Sequence, residues 1–80
     1  MWRIEAYSKA DEFLAYELMM PTIDDETVRR VLGITEEGDE FRYYVYRIPS
    51  NTATEVFASY IEGEFEFDDS VKYKIAFEDD

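Results

Sequence analysis

The sequence predicts an α+β protein: a single antiparallel β-sheet with two short helices packed on one face, in the order β-β-α-β-α-β-β. Three observations lead there. Apolar and polar residues alternate at both ends of the chain, over residues 2–7 and 71–77, which is the period of a half-buried strand. Two inner segments carry apolar residues at helical spacing and end on Gly33 and Gly63, as helices that close on a left-handed residue do. Seven Tyr, six Phe and one Trp in 80 residues supply side chains large enough for a short chain to build one core. Nothing reads as a linker or an internal repeat, so residues 1–80 are expected to form a single domain.

Residues 2–7 place Trp2, Ile4 and Ala6 on one face and Arg3, Glu5 and Tyr7 on the other. A polar turn over residues 8–12 leads to a second strand, 13–20, with Leu14, Tyr16 and Leu18 on one face, and Pro21 ends it. Residues 23–33 have the order of a short helix. Asp24, Asp25 and Glu26 suit its positive end, Arg29 and Arg30 its negative end, and Val28, Val31 and Leu32 would face the core. Residues 35–40 form an exposed acidic loop. Residues 41–48, rich in Tyr and Val, read as the central strand, which Pro49 ends.

Ser50 or Asn51 caps the second helix, where Ala53, Val56, Phe57, Tyr60 and Ile61 recur on one side. Residues 64–67, a turn at 68–70 and residues 71–77 then form a closing hairpin. It turns Phe65, Phe67, Val71, Tyr73, Ile75 and Phe77 inward and sets Glu64 and Glu66 against Lys72 and Lys74 outside. Residues 78–80 are a frayed acidic tail.

The chain has 20 acidic and 8 basic residues, a net charge of −12. Residues 1–35 carry −3 of it and residues 36–80 carry −9. Such an excess repels phosphate backbones and anionic lipid and favours a cationic protein partner. With no His and no Cys, the commonest general base, the imidazole metal ligand and the thiol nucleophile are all missing. The expectation is a binding protein and not an enzyme, without cofactor or metal. The runs Asp24-Asp25-Glu26 and Asp68-Asp69 lack the alternating ligand spacing of a calcium loop. No apolar run approaches the roughly 20 residues of a membrane helix and no secretory leader opens the chain, so a cytoplasmic protein, monomeric when free, is expected.

The contact surface is expected where charge is least compensated. Glu36, Glu37, Asp39 and Glu40 have only Arg42 nearby in sequence. Tyr44 and Tyr46, just after them, offer rigid area with a hydroxyl at small entropic cost. The remaining candidate carboxylates are Glu64, Glu66, Asp68, Asp69, Glu78 and Asp79.

The opening MWRIEAY, the segment LMMPTIDDETVRRVLGI, the acidic TEEGDEF and the closing run ATEVFASYIEGEFEFDDSVKYKIAFEDD together resemble known small acidic proteins. These are the immunity proteins of bacterial contact-dependent growth inhibition systems and, more loosely, those of cloacin-type colicin RNases. The regular helix expected over NTATEVFASYIEG departs from the cloacin type, so no contact residue is carried over from that family. The resemblance implies a 1:1 complex with a basic toxin domain of the same locus, a nuclease, whose active-site cleft or adjacent exosite is covered. The alternative is an acidic nucleic-acid mimic that inhibits or adapts a DNA-binding protein. Mimicry needs two rows of carboxylates at phosphate-like spacing, whereas plugging a cleft needs one compact patch.

Overall fold

The structure, a computed structural model, describes residues 1–48 and 52–79. Its elements are β1 (Trp2–Ser8), β2 (Leu14–Met20), α1 (Asp25–Leu32), a 3-10 helix (Glu40–Tyr43), β3 (Tyr46–Arg47), α2 (Thr52–Ala58) and β4 (Val71–Phe77). All strand pairings are antiparallel and the sheet order is β2-β1-β4-β3. The α+β class is therefore the one the alternation predicts.

The alternation of β1 and β4 decides which face is buried. Trp2, Ile4 and Ala6 from β1, Met20 from β2 and Val71, Tyr73 and Ile75 from β4 form one cluster with Val28 of α1 and Phe57 of α2. Both helices thus cover the same face. Burying a side chain such as Ile4, Phe57 or Ile75 completely contributes about 1.5–3 kcal/mol relative to exposure. The ends of α1 follow the sequence closely. Asp24 accepts the Thr27 N–H at 2.8 Å, and Gly33, at φ 71°, turns the chain while its N–H meets the Arg29 and Arg30 carbonyls.

The structure corrects several details. Residues 41–48 do not form the central strand. The long β1 and β4 occupy the centre, and only Tyr46–Arg47 joins the sheet, at its edge. Residues 40–43 wind into a 3-10 turn instead because Phe41 packs inward against Trp2, with ring centroids 5.7 Å apart. This tertiary contact overrides the strand preference of a Tyr- and Val-rich run.

Nor do residues 64–68 form a strand. Phe65 and Phe67 each lie 5.8 Å from the Tyr73 ring, and the segment is held by these ring contacts and not by backbone pairing. The strand beside β4 is β1, so Lys74 stands opposite Glu5, and Glu64 and Glu66 make no ion pair with Lys72 or Lys74 among the described residues.

Leu14 does not share a face with Tyr16 and Leu18. A register shift at Ala6/Tyr7 pairs Tyr7 with Leu14, and Leu14 is 45% exposed, since one extra residue flips every side chain beyond it. Val56 is exposed as well. The tail is tied down at its start. Glu78 exchanges backbone hydrogen bonds with Met1, at 2.8 and 2.9 Å, and pairs with Arg3 at 2.8 Å. The expected strand end at Pro49, the cap at Ser50 or Asn51 and the last residue, Asp80, lie outside the described residues.

Candidate protein-binding surface

The acidic loop after α1 is held by its backbone. The Arg29 guanidinium donates to the Gly38 carbonyl at 2.9 Å and to the Glu36 carbonyl, and it lies 4.7 Å from the centre of the Phe41 ring. One arginine of α1 therefore fixes the loop and the aromatic that follows it, without neutralising a carboxylate. Glu36, Glu37, Asp39 and Glu40 are all exposed, and none joins an ion pair among the described residues.

Arg42, the cation nearest in sequence, is engaged elsewhere. It pairs with Asp25 at the start of α1 and lies 4.9 Å from the centre of the Phe77 ring. Asp25 also accepts the Trp2 indole N–H at 2.9 Å. Partial burial works against ionisation of Asp25, but the hydrogen bonds from Arg42 and Trp2 outweigh it and hold the carboxyl below the usual range.

The 3-10 turn ends at Tyr43, and the chain leaves it extended at Tyr44. Strand alternation is lost there, so Tyr43, Tyr44 and Val45 are exposed by 80%, 60% and 55%, in direct succession. Tyr46, half-buried in β3, meets the Tyr44 ring edge-on at 6.4 Å. Its hydroxyl is pushed above the ordinary tyrosine range, first by burial, then by the Glu36 carboxylate and the neighbouring Tyr44 phenol.

On the other side of the 3-10 turn, Asp39, Arg42, Tyr43, Phe77 and Asp79 line an open concavity of about 390 Å³. The acidic loop and the acidic tail, 40 residues apart in sequence, thus share one surface. Glu78 adjoins it but is taken up by Arg3.

The structure leaves the other predicted carboxylates elsewhere. Glu64, Glu66 and Asp69 are exposed near the opposite end of β4, a strand that spans about 20 Å at the usual rise per residue. Asp68 is a turn residue. Its carboxylate accepts the Ser70 N–H at 2.9 Å and the Ser70 hydroxyl at 2.6 Å, which lower its pKa, and its own N–H donates to the Tyr73 hydroxyl at 2.9 Å. The predicted residues therefore divide into two groups. Glu36, Glu37, Asp39, Glu40, Tyr44, Tyr46 and Asp79 lie together, with Tyr43 and Val45 added to them. The added pair could have been found from the run Phe41-Arg42-Tyr43-Tyr44-Val45-Tyr46, which has too many consecutive large side chains for alternation to bury.

Among the described residues, no three acidic side chains converge in a way that could hold a metal ion, and no helix is long and apolar enough to cross a membrane. Residues 1–76 match a family described as Domain of unknown function (DUF7683). The chain belongs to this family. The DUF7683 match includes α1, the acidic loop, the exposed tyrosines and all but the last residue of β4. No curated protein and no solved structure matches the chain.

Proposed function

We propose that this DUF7683 chain is an immunity protein. It binds a cognate basic toxin domain, a nuclease, in a 1:1 complex in the cytoplasm and covers the active-site cleft or an adjacent exosite. The observation that carries this reading is the cluster of exposed Tyr43, Tyr44 and Val45 beside four exposed carboxylates that have no cationic partner among the described residues.

A nuclease cleft is lined by Lys and Arg that hold phosphates, and a carboxylate surface presents the same charge. Complementary charge accelerates encounter, while aromatic anchors packed at the centre of the contact slow dissociation. Both are needed where the toxin is made beside its inhibitor. The grouping of the loop and Asp79 around one concavity supports plugging of a cleft over mimicry of a duplex, which would call for two extended rows.

Co-expression with the product of the neighbouring reading frame tests the proposal. A stable 1:1 complex and rescue of growth are expected. A neighbouring product that neither binds the chain nor is neutralised by it removes the reading.

A further inference from the structure

One corner of the sheet, where Lys72 and Lys74 of the uncovered face meet Val71 and Tyr73 of the helix-covered face, has the opposite character. Four of the eight basic residues, Lys9, Arg47, Lys72 and Lys74, line two adjoining concavities of about 530 and 630 Å³, with Arg47 and Lys72 common to both. None of the four is in an ion pair among the described residues. Strand geometry brings them together. Lys72 and Lys74 point to the same side of β4, about 7 Å apart at the usual strand rise, and Arg47 of β3 is the register partner of Lys74.

Two features keep these cations available. Glu5, which faces Lys74 across the strands, turns its carboxylate to Arg3, at 3.1 Å, and to the Tyr7 hydroxyl, at 3.0 Å. The Tyr7 ring in turn lies 4.8 Å from the Lys74 ammonium, which positions it without cancelling its charge. One carboxylate, Glu12, stands in the wall of the first concavity. The second has an apolar side, formed by Ile48, Phe67, Val71 and Tyr73, and Phe67 is 47% exposed there.

We propose that this corner of the sheet binds a small phosphoryl-bearing molecule with an aromatic or apolar group. The phosphoryl oxygens sit among Arg47, Lys72 and Lys74, and the apolar group lies on Phe67. Three converging cations, one of them a guanidinium fork, match a dianion with several oxygens better than a single carboxylate. The net charge of −12 argues for a small ligand over a nucleic acid or a second copy of the chain. Charges more than about 8 Å away are screened at physiological ionic strength, so a small anion experiences mainly the local cations, whereas a large polyanion meets the whole acidic surface. The cations of this site lie outside the acidic surface proposed for the partner, with which the first concavity shares Val45.

Backbone amide chemical shifts during titration with inorganic phosphate, phenyl phosphate and, at matched ionic strength, acetate test the site. Saturable shifts are expected at Tyr7, Arg47, Lys72 and Lys74 with either phosphate. Phenyl phosphate should extend them to Phe67 and Tyr73 and bind several-fold more tightly, and acetate should not saturate. The Lys72→Gln/Lys74→Gln variant should weaken phosphate binding by about tenfold or more, while Arg30→Gln leaves it unchanged. Shifts in the unaltered protein that fail to saturate, match those with acetate, or spread evenly over all basic residues overturn the proposal. Full affinity in a folded Lys72→Gln/Lys74→Gln variant does so equally.

Discussion

The acidic surface around the 3-10 turn and the basic corner of the sheet are built on the same four strands, and each contains residues of the opposite charge. In the acidic region Arg29 is occupied by the carbonyls of Glu36 and Gly38, and Arg42 by Asp25. In the basic region Glu5 is occupied by Arg3 and Tyr7. Internal hydrogen bonds thus occupy Arg29 and Arg42 in the acidic region and Glu5 in the basic one, and Glu12 is the carboxylate left in the wall of the basic concavity. Sign segregation in this molecule depends on what each minority residue holds, and a count of charges along the chain does not reveal it.

The largest effect is expected from unfastening the acidic region alone. Phe41 is 5% exposed, between Trp2 and Arg29, and Phe41→Ala should cost about 3–4 kcal/mol in urea unfolding. Hydrogen exchange should show protection lost over residues 36–46 before it is lost in β1 and β4. Uniform loss across the sheet would mean that the two regions are not separable.

Asp25→Asn should be milder, about 1–2 kcal/mol near neutral pH, because the side chain is partly exposed and charged hydrogen bonds are lost. The native carboxyl titrates below its unfolded value, so its contribution is complete above about pH 4 and disappears as pH falls through the native pKa. The difference between the variant and the parent should shrink with acidification, as measured by urea midpoints from pH 7 to pH 2.5. Asp24 and Asp68, lowered by hydrogen bonds from Thr27 and Ser70 respectively, add acid sensitivity of the same sign.

On the basic side, Glu12 has a positive φ of 65° in the turn before β2, a conformation that disfavours a side chain with a Cβ. Glu12→Gly should stabilise the protein by about 0.5–1 kcal/mol once the greater freedom of glycine in the unfolded chain is counted. It also removes the carboxylate from the wall of the basic concavity, so phosphate should bind more tightly. The smallest effect tests whether Glu36 stands beside Tyr46. Glu36→Gln should lower the titration midpoint of the Tyr46 hydroxyl, read by NMR of the ring, while leaving that of Tyr16 in place.

The sequence made the class and the core legible because period-two alternation in β1 and β4 is long and has a single sign of amphipathicity. The acidic start of α1 and its close at Gly33 were equally plain, since both act within a few residues. What stayed hidden depends on contacts distant in sequence. The pairing of Trp2 with Phe41 turned an apparent central strand into a 3-10 turn, and that same turn exposed Tyr43 and Val45. Nothing local shows that Phe65 and Phe67 would clasp Tyr73 and leave Lys72 and Lys74 without the glutamates expected opposite them. The carboxylates of the acidic loop could be named from composition, but their meeting with Asp79 required the fold.

The rate at which the chain meets the neighbouring gene product as salt is varied tests the role of the acidic surface most directly. Stopped-flow association should be compared for the unaltered chain, for one with Glu36, Glu37, Asp39 and Glu40 each changed to Lys, and for the Lys72→Gln/Lys74→Gln variant. Loop reversal should slow association by about tenfold or more and flatten its salt dependence, while the basic-corner variant behaves like the parent. An unchanged rate and salt slope after loop reversal, with the fold intact by circular dichroism, would contradict the assignment of the acidic surface as the binding face.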